Sequence, residues 1–155
     1  MIVLDRRTLL VWTLLLALLA TGIELATRQL AVPWFIAGPS MEPALRHGDR
    51  VIVDIWTYRH RPPRPGEVVL LVPPSGRPDP LVKRVAPRPD SQLPDPETCW
   101  VLGDNLDQSL DSRTFGGVPT ANFRGRVVWR YWPPSRLGPV RSRAHPGKTS
   151  RLPGR

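Results

Sequence analysis

Thiols are almost missing from this chain. Cys99 is the one cysteine in 155 residues, so no intramolecular disulfide can form and no zinc cluster can be built from thiolates. A lone cysteine of this kind is most simply a small buried apolar residue in a strand, and redox logic does not fix the compartment. Lysine is nearly as scarce: of 22 basic residues only Lys83 and Lys148 are lysines. Acidic residues stop at Asp111. The last 44 residues hold ten basic residues and no acid, against thirteen acids and twelve bases before them, so the whole +9 excess sits at the C-terminal end. From Arg136 onward the chain is Arg, Pro, Gly and Ser with few apolar residues, and it reads as a disordered basic tail over 136–155. Such a tail can touch anionic lipid by general attraction. The simpler reading is a solvated segment, and no specific nucleic-acid partner is expected.

Long apolar runs are also lacking, with one exception. Thr8 to Ile23 carries no charge, and the apolar character continues past Glu24 to Ala26. At ~1.5 Å per residue Thr8–Ala26 covers about 28 Å, just enough for a thin bilayer core. Arg6 and Arg7 precede it, so the positive-inside rule puts the N-terminus in the cytoplasm and everything after Arg28 outside. A cleavable signal peptide ending near Ala20 or Ala26 is the competing reading; length favours a single-pass anchor over residues 1–28. Either way the rest of the chain is exported.

Proline and glycine are plentiful, at twenty and twelve, which excludes a helical bundle. Short runs rich in Val, Ile and aromatics recur at Trp34–Ala37, Arg50–Trp56, Glu67–Val72, Leu81–Ala86, Thr98–Leu102 and Phe123–Tyr131. Proline-rich linkers separate them. This pattern predicts a mainly β exported domain over 32–135, a small antiparallel sheet or partial barrel.

Residues 38–43, Gly-Pro-Ser-Met-Glu-Pro, place Ser40 in a proline-bracketed turn just beyond the apolar segment. A serine hydroxyl is a poor nucleophile until a base takes its proton. Of the histidines, His145 lies in the tail and His60 in an Arg/Pro loop, while nothing near His47 would orient its ring. Arginine stays protonated, whereas a desolvated lysine can become neutral. Lys83, in Leu81-Val82-Lys83-Arg84-Val85, stands on a predicted strand with Val82 on the opposite face. Burial there would lower its pKa enough to supply a neutral amine; an exposed lysine on a strand face is the alternative. Residues 103–116, Gly-Asp-Asn-Leu-Asp-Gln-Ser-Leu-Asp-Ser-Arg-Thr-Phe-Gly, form a polar turn-rich loop. It lacks the central glycine and terminal glutamate of a calcium loop, so no metal or other cofactor is expected.

Taken in order and spacing, Gly38-Pro39-Ser40-Met41-Glu42-Pro43-Ala44-Leu45, Gly48-Asp49, Lys83-Arg84-Val85 and the 103–116 stretch resemble type I signal peptidases. The match is closest to short, single-anchor members and the mitochondrial inner-membrane peptidase type, and runs to about Pro133. The resemblance implies Ser40 as nucleophile, Lys83 as general base, and Ser109 as the hydroxyl that orients the amine. It implies a supporting ion pair of Asp111 with Arg113, and a turn of Gly103, Asp104 and Asn105 behind the site. Ile36, Ala37, Met41, Leu45 and Val82 match walls of shallow pockets for small residues at −1 and −3 of the cleavage site. Preprotein signal peptides are then the substrate and the lipid bilayer the setting. Three departures stand out. Gly38 occupies a position where some members carry a hydroxyl for the oxyanion hole, and Ala86-Pro87-Arg88-Pro89-Asp90 replaces the usual Gly-x-Pro-Gly-Asp turn. Only nineteen residues separate Lys83 from Gly103, leaving no room for a large accessory domain.

Three other readings remain open on sequence. A dedicated maturation protease for one or a few clients would share the same dyad. An inactive anchored binding module with a basic tail would not depend on Ser40. A self-cleaving repressor-like peptidase is disfavoured, because an apolar segment stands where a DNA-binding domain would be.

Overall fold

The computed structural model describes residues 5–76, 78–89 and 95–143, with the side chains at 23 and 25–29 left aside. Helix α1 spans Arg6–Leu30. Among the described residues no helix is long and apolar enough to cross a membrane. The described large apolar side chains of α1 are nevertheless exposed, from Leu30 at 45% to Leu18 at 76%. The apolar run read from sequence continues to Ala26, beyond the side chains described here.

Strand β1, Ala31–Phe35, follows α1 without a linker. Then come β2 (Arg50–Asp54), a one-turn helix α2 (Thr57–His60), β3 (Val68–Leu71), β4 (Leu81–Ala86) and β5 (Thr98–Leu102). A one-turn helix α3 (Ser112–Phe115), a two-residue β6 (Val118–Pro119), the long β7 (Phe123–Trp132) and a two-residue β8 (Gly138–Pro139) follow among the described residues. Pairing is antiparallel in the order β1-β2-β7-β3-β4-β5-β6, with β8 beside β7. The expected mainly β, curled antiparallel domain is what the chain forms.

Alternation explains how one sheet carries apolar groups on both faces. In β3 all four residues are buried: Val68 and Leu70 join Ile36, Met41, Leu45, Val51, Val53 and Val127 on one side. Val69 and Leu71 join Val85, Val101, Val118 and Phe123 on the other. Expected strand positions agree closely, but β1 begins at Ala31, ahead of Pro33. That proline is tolerated because β1 is an edge strand paired only with β2.

The segment expected as a tail has structure in its first eight residues. Gly138–Pro139 pairs with β7, Val140 N–H donates to the Val128 carbonyl at 2.9 Å, and Val140 packs on the cluster around Met41 and Leu45. Composition alone misses this docking, because it is held largely by backbone and guanidinium bonds. The rest of that segment lies outside the described residues.

Candidate active site

Ser40 stands in the turn that follows β1. The turn is closed by Glu42 N–H to the Pro39 carbonyl and Leu45 N–H to the Met41 carbonyl, both at 2.9 Å. Ile36 N–H bonds the Asp49 carbonyl at 2.9 Å and Gly48 N–H bonds the Ile36 carbonyl at 3.0 Å, so the turn leaves and rejoins the sheet at one place. Below it the Asp49 carboxylate is buried. It accepts from Arg46 N–H at 2.9 Å and from Arg136 Nη1, which reaches both oxygens at 3.0 Å.

Lys83 Nζ lies 2.7 Å from Ser40 Oγ, drawn as donor to the hydroxyl. The lysine is 2% exposed and pairs across the ladder with Val69, on the face shared by Leu81 and Val85. Burial pushes its pKa down, the nearby Arg113 charge adds to this, and Asp111 and Asp104 oppose it; the balance lies at about 8. About a tenth is therefore neutral at pH 7, and in that form the 2.7 Å bond can run from Ser40 O–H to the amine. Sequence left an exposed lysine open, and the structure closes that alternative.

The 103–116 loop comes up behind this pair. Asn105 N–H donates to the Ser40 carbonyl at 3.0 Å. Asp111, 0% exposed, accepts from Gly103 N–H at 3.0 Å and from Arg113 Nε at 2.8 Å and Nη2 at 3.0 Å. Burial acts to raise the Asp111 pKa, but Arg113, Gly103 N–H and the Ser109 hydroxyl together hold it below the ordinary carboxylate range. Gly103 is packed so tightly that a Cβ there would overlap the Ser109 hydroxyl and lie 2.5 Å from the Ser40 carbonyl oxygen.

Ser109 departs from its expected role in one respect. Its hydroxyl makes no hydrogen bond of good geometry, to Lys83 or to Asp111, and is the one buried side-chain polar atom left without a partner among the described residues. Asp104, expected in the turn behind the site, has a partner that the sequence reading did not give it. Its carboxylate receives Arg84 Nε and Nη2, both at 2.7 Å, in a pair whose side chains are 4% and 5% exposed. Lys83 and Arg84 thus point to opposite faces and are both buried.

A cleft of about 120 Å³ opens beside Ser40 and Lys83. Ile36, Ala37, Met41 and Val82 line it as expected, joined by Trp34, Phe35, Pro80 and Leu81, which sequence reasoning passed over. Leu45 does not line it: it is fully buried in the core cluster with Met41, because the turn carries it inward under Ser40. His47 is no base for Ser40. Its Nδ1 accepts Gly38 N–H at 3.1 Å and its ring stands edge-on to Phe35 at 5.7 Å. No group of His, Cys, Asp and Glu among the described residues could hold a metal ion.

Comparison with known proteins fits this arrangement. The family model for signal peptidase, peptidase S26, matches residues 6–92 and 88–132, which include every residue placed around Ser40 above except Arg136. The chain is 30% identical over 125 residues to mitochondrial inner membrane protease subunit 1 of Xenopus tropicalis, covering 68% of this chain and 71% of that protein. It is 32% identical over 144 residues to signal peptidase I of Leptolyngbya laminosa, covering 67% and 70%. Against probable thylakoidal processing peptidase 2, chloroplastic, of Arabidopsis thaliana it is 29% identical over 163 residues, spanning 80% of this chain but 44% of that longer protein. A buried lysine against a turn serine, carried on a curled β-sheet whose sequence matches that family over most of its length, leaves one conclusion: this chain belongs to the signal peptidase, peptidase S26, family.

Proposed function

We propose that the chain is a serine endopeptidase that removes signal peptides from exported preproteins, with Ser40 as nucleophile and Lys83 as general base. The observation that carries this is the 2.7 Å contact between Ser40 Oγ and a buried Lys83 amine of lowered pKa. Neutral Lys83 takes the Ser40 proton as Oγ attacks the scissile carbonyl carbon. The resulting ammonium returns the proton to the departing amine as the C–N bond breaks, leaving an acyl-enzyme. Lys83, neutral again, then takes a proton from water as that water attacks the ester, and delivers it to Ser40 Oγ as the acid leaves.

The sheet supports a mode of substrate binding. β3 covers one side of β4 from Leu81 to Arg84, but β5 pairs only from Arg84 to Ala86, so residues 81–83 keep a free edge. β1 is the other free edge, and the cleft lies between the two. An extended peptide can add there as a strand, where period-two alternation aims residues −1 and −3 at the same wall. A small cleft walled by Ile36, Ala37, Met41 and Val82 selects by excluding bulk.

Oxyanion stabilisation falls to Ser40 N–H, since Gly38 offers no hydroxyl and its own N–H is taken by His47. Asp111 with Arg113 braces the loop, Asp104 and Asn105 hold it to β4 and to Ser40, and the unpartnered Ser109 hydroxyl is the group that aims the lysine amine during turnover. Helix α1 is the anchor, its exposed apolar side chains meeting lipid, with the N-terminus cytoplasmic and the catalytic domain on the other side. The basic C-terminal end adds contact with anionic lipid.

Cleavage of a model preprotein in detergent tests the proposal. Wild type should cleave, while Ser40→Ala and Lys83→Arg should not, because arginine keeps the charge but cannot accept a proton. An active Lys83→Arg protein would overturn the dyad. Exported N-termini in a deletion strain then distinguish general processing, with many retained signal peptides, from service to one or two clients.

A further inference from the structure

Residues 136–143 make bonds in two directions. At the start, Arg136 Nη1 reaches both oxygens of Asp49 at 3.0 Å, and Nη2 reaches the Pro43 and Ala44 carbonyls at 3.3 Å each. These acceptors belong to the turn that carries Ser40. Arg130 reinforces them, with Nη1 on the Ala44 carbonyl at 2.9 Å and Nε on the Arg136 carbonyl. At the other end, the Arg141 carbonyl accepts from Arg84 Nη1 at 3.1 Å, and Arg143 N–H donates to the Gly66 carbonyl at 3.2 Å. Gly66 O also accepts Arg84 Nη1 at 2.8 Å. Arg84 follows Lys83 directly and grips Asp104. Close fit marks the contact, since a Cβ on Gly66 would stand 2.8 Å from the Arg143 carbonyl oxygen.

Ser40 and Lys83 are 43 residues apart in sequence, and this one segment is bonded to the parts that carry both. We infer that residues 136–143 form a strap that fixes the separation of nucleophile and base, acting through Arg136 on the Ser40 turn and through Arg84 on the Lys83 strand. The inference rests on the Ser40–Lys83 mechanism. The strap touches neither substrate nor reacting atoms, so its residues are positioning residues. Its two ends have different electrical consequences. Burial and the Arg113 charge lower the Lys83 pKa while the Asp111 and Asp104 charges raise it, and Asp104 is the carboxylate that Arg84 pairs. Loosening Arg84 therefore favours the Lys83 ammonium and moves the acid limb of the rate profile to higher pH. Loosening Arg136 uncovers the Asp49 carboxylate, which is not among the charges acting on Lys83, so the limb stays where it is.

The test measures kcat and KM against pH for a signal-peptide substrate in detergent, with thermal unfolding followed in parallel. The proteins are the full chain, Ser40→Ala, Arg136→Gln, and chains ending at Arg143 or at Val140. The chain ending at Arg143 should match the full chain. The chain ending at Val140 should keep KM, lose kcat about tenfold or more, as sub-ångström to 1 Å misplacement does, and show its acid limb moved up by about half a pH unit, about threefold in neutral amine. Arg136→Gln should lose kcat with the limb unmoved. Full kcat in both strap variants overturns the strap while Ser40→Ala remains dead. Loss that only follows the unfolded fraction, with no limb shift at Val140, also overturns it. Should the Val140 chain not fold, Arg136→Gln decides: full kcat there refutes the strap. Activity in Ser40→Ala overturns the mechanism itself, whatever the strap variants do.

Discussion

Asn105 holds Ser40 by the backbone: its N–H donates to the Ser40 carbonyl oxygen at 3.0 Å. The loop beside Lys83, the proposed base, is therefore joined to the residue proposed as nucleophile, and its packing should bear on rate as well as stability.

Gly103 is where that packing is tightest. Gly103→Ala puts a methyl onto the Ser109 hydroxyl and 2.5 Å from the Ser40 carbonyl oxygen, with backbone on one side that cannot swing away. Overpacking of this kind costs about 1–3 kcal/mol. Thermal unfolding should show that loss, and preprotein cleavage should fall by about 10²-fold as the Ser40 turn is displaced.

Lys83 should make both rate and stability depend on pH. The rate of cleavage should rise as pH passes about 8, where the buried amine becomes neutral. For stability, below that point the amine is charged both folded and unfolded, and its burial is a penalty. Between about 8 and the ordinary 10.5 the folded chain has released a proton that the unfolded chain still holds, so stability rises with pH. Relative to Lys83→Met, the wild type should gain about 3 kcal/mol across that window. Denaturant titrations of both proteins at several pH values check the sign; a wild type that loses ground to Lys83→Met on going alkaline would contradict it.

Ser109→Ala should separate stability from catalysis. The hydroxyl makes no hydrogen bond of good geometry and only helps to hold the Asp111 carboxylate ionised, so its removal should change stability by about 1 kcal/mol or less. If the hydroxyl aims the amine during turnover, kcat should drop by about 10²-fold with KM little changed. Unchanged kcat would leave Ser109 a packing residue.

Met41 is both a core residue and part of the cleft lining, at 1% exposure. Met41→Ala should cost about 2–5 kcal/mol and deepen the cleft. Paired peptides with alanine or leucine at −1 should then differ less: kcat/KM for leucine relative to alanine should rise about tenfold, the scale of added room in an apolar pocket.

Strand positions were legible because alternation and β-branched residues mark them directly, as in Arg50–Asp54 and Leu81–Ala86. Lys83 was legible by scarcity, as one of two lysines with only arginine around it. Arg84 was not, since a buried arginine facing Asp104 has no local signature; its partner lies twenty residues on. Leu45 was misread as a pocket wall because turn residues near a nucleophile give no hint of which side chains curl inward. The docked residues 136–143 were misread because arginine suggests solvent, whereas Arg136 here is spent on carbonyls and a buried carboxylate.

The direct junction of α1 with β1 sets a length. Leu30 ends the helix, Ala31 begins the strand, and Ser40 follows ten residues after Leu30. Ten residues reach at most about 35 Å even when fully extended. With α1 as the proposed anchor and Ser40 as the proposed nucleophile, the serine would be leashed to the bilayer like a blade on a short arm. Two precursors with identical residues at −1 and −3 would then fare differently if a polar spacer pushed one scissile bond farther from the lipid. Depth, as well as side-chain size, would then be a criterion by which bonds are chosen.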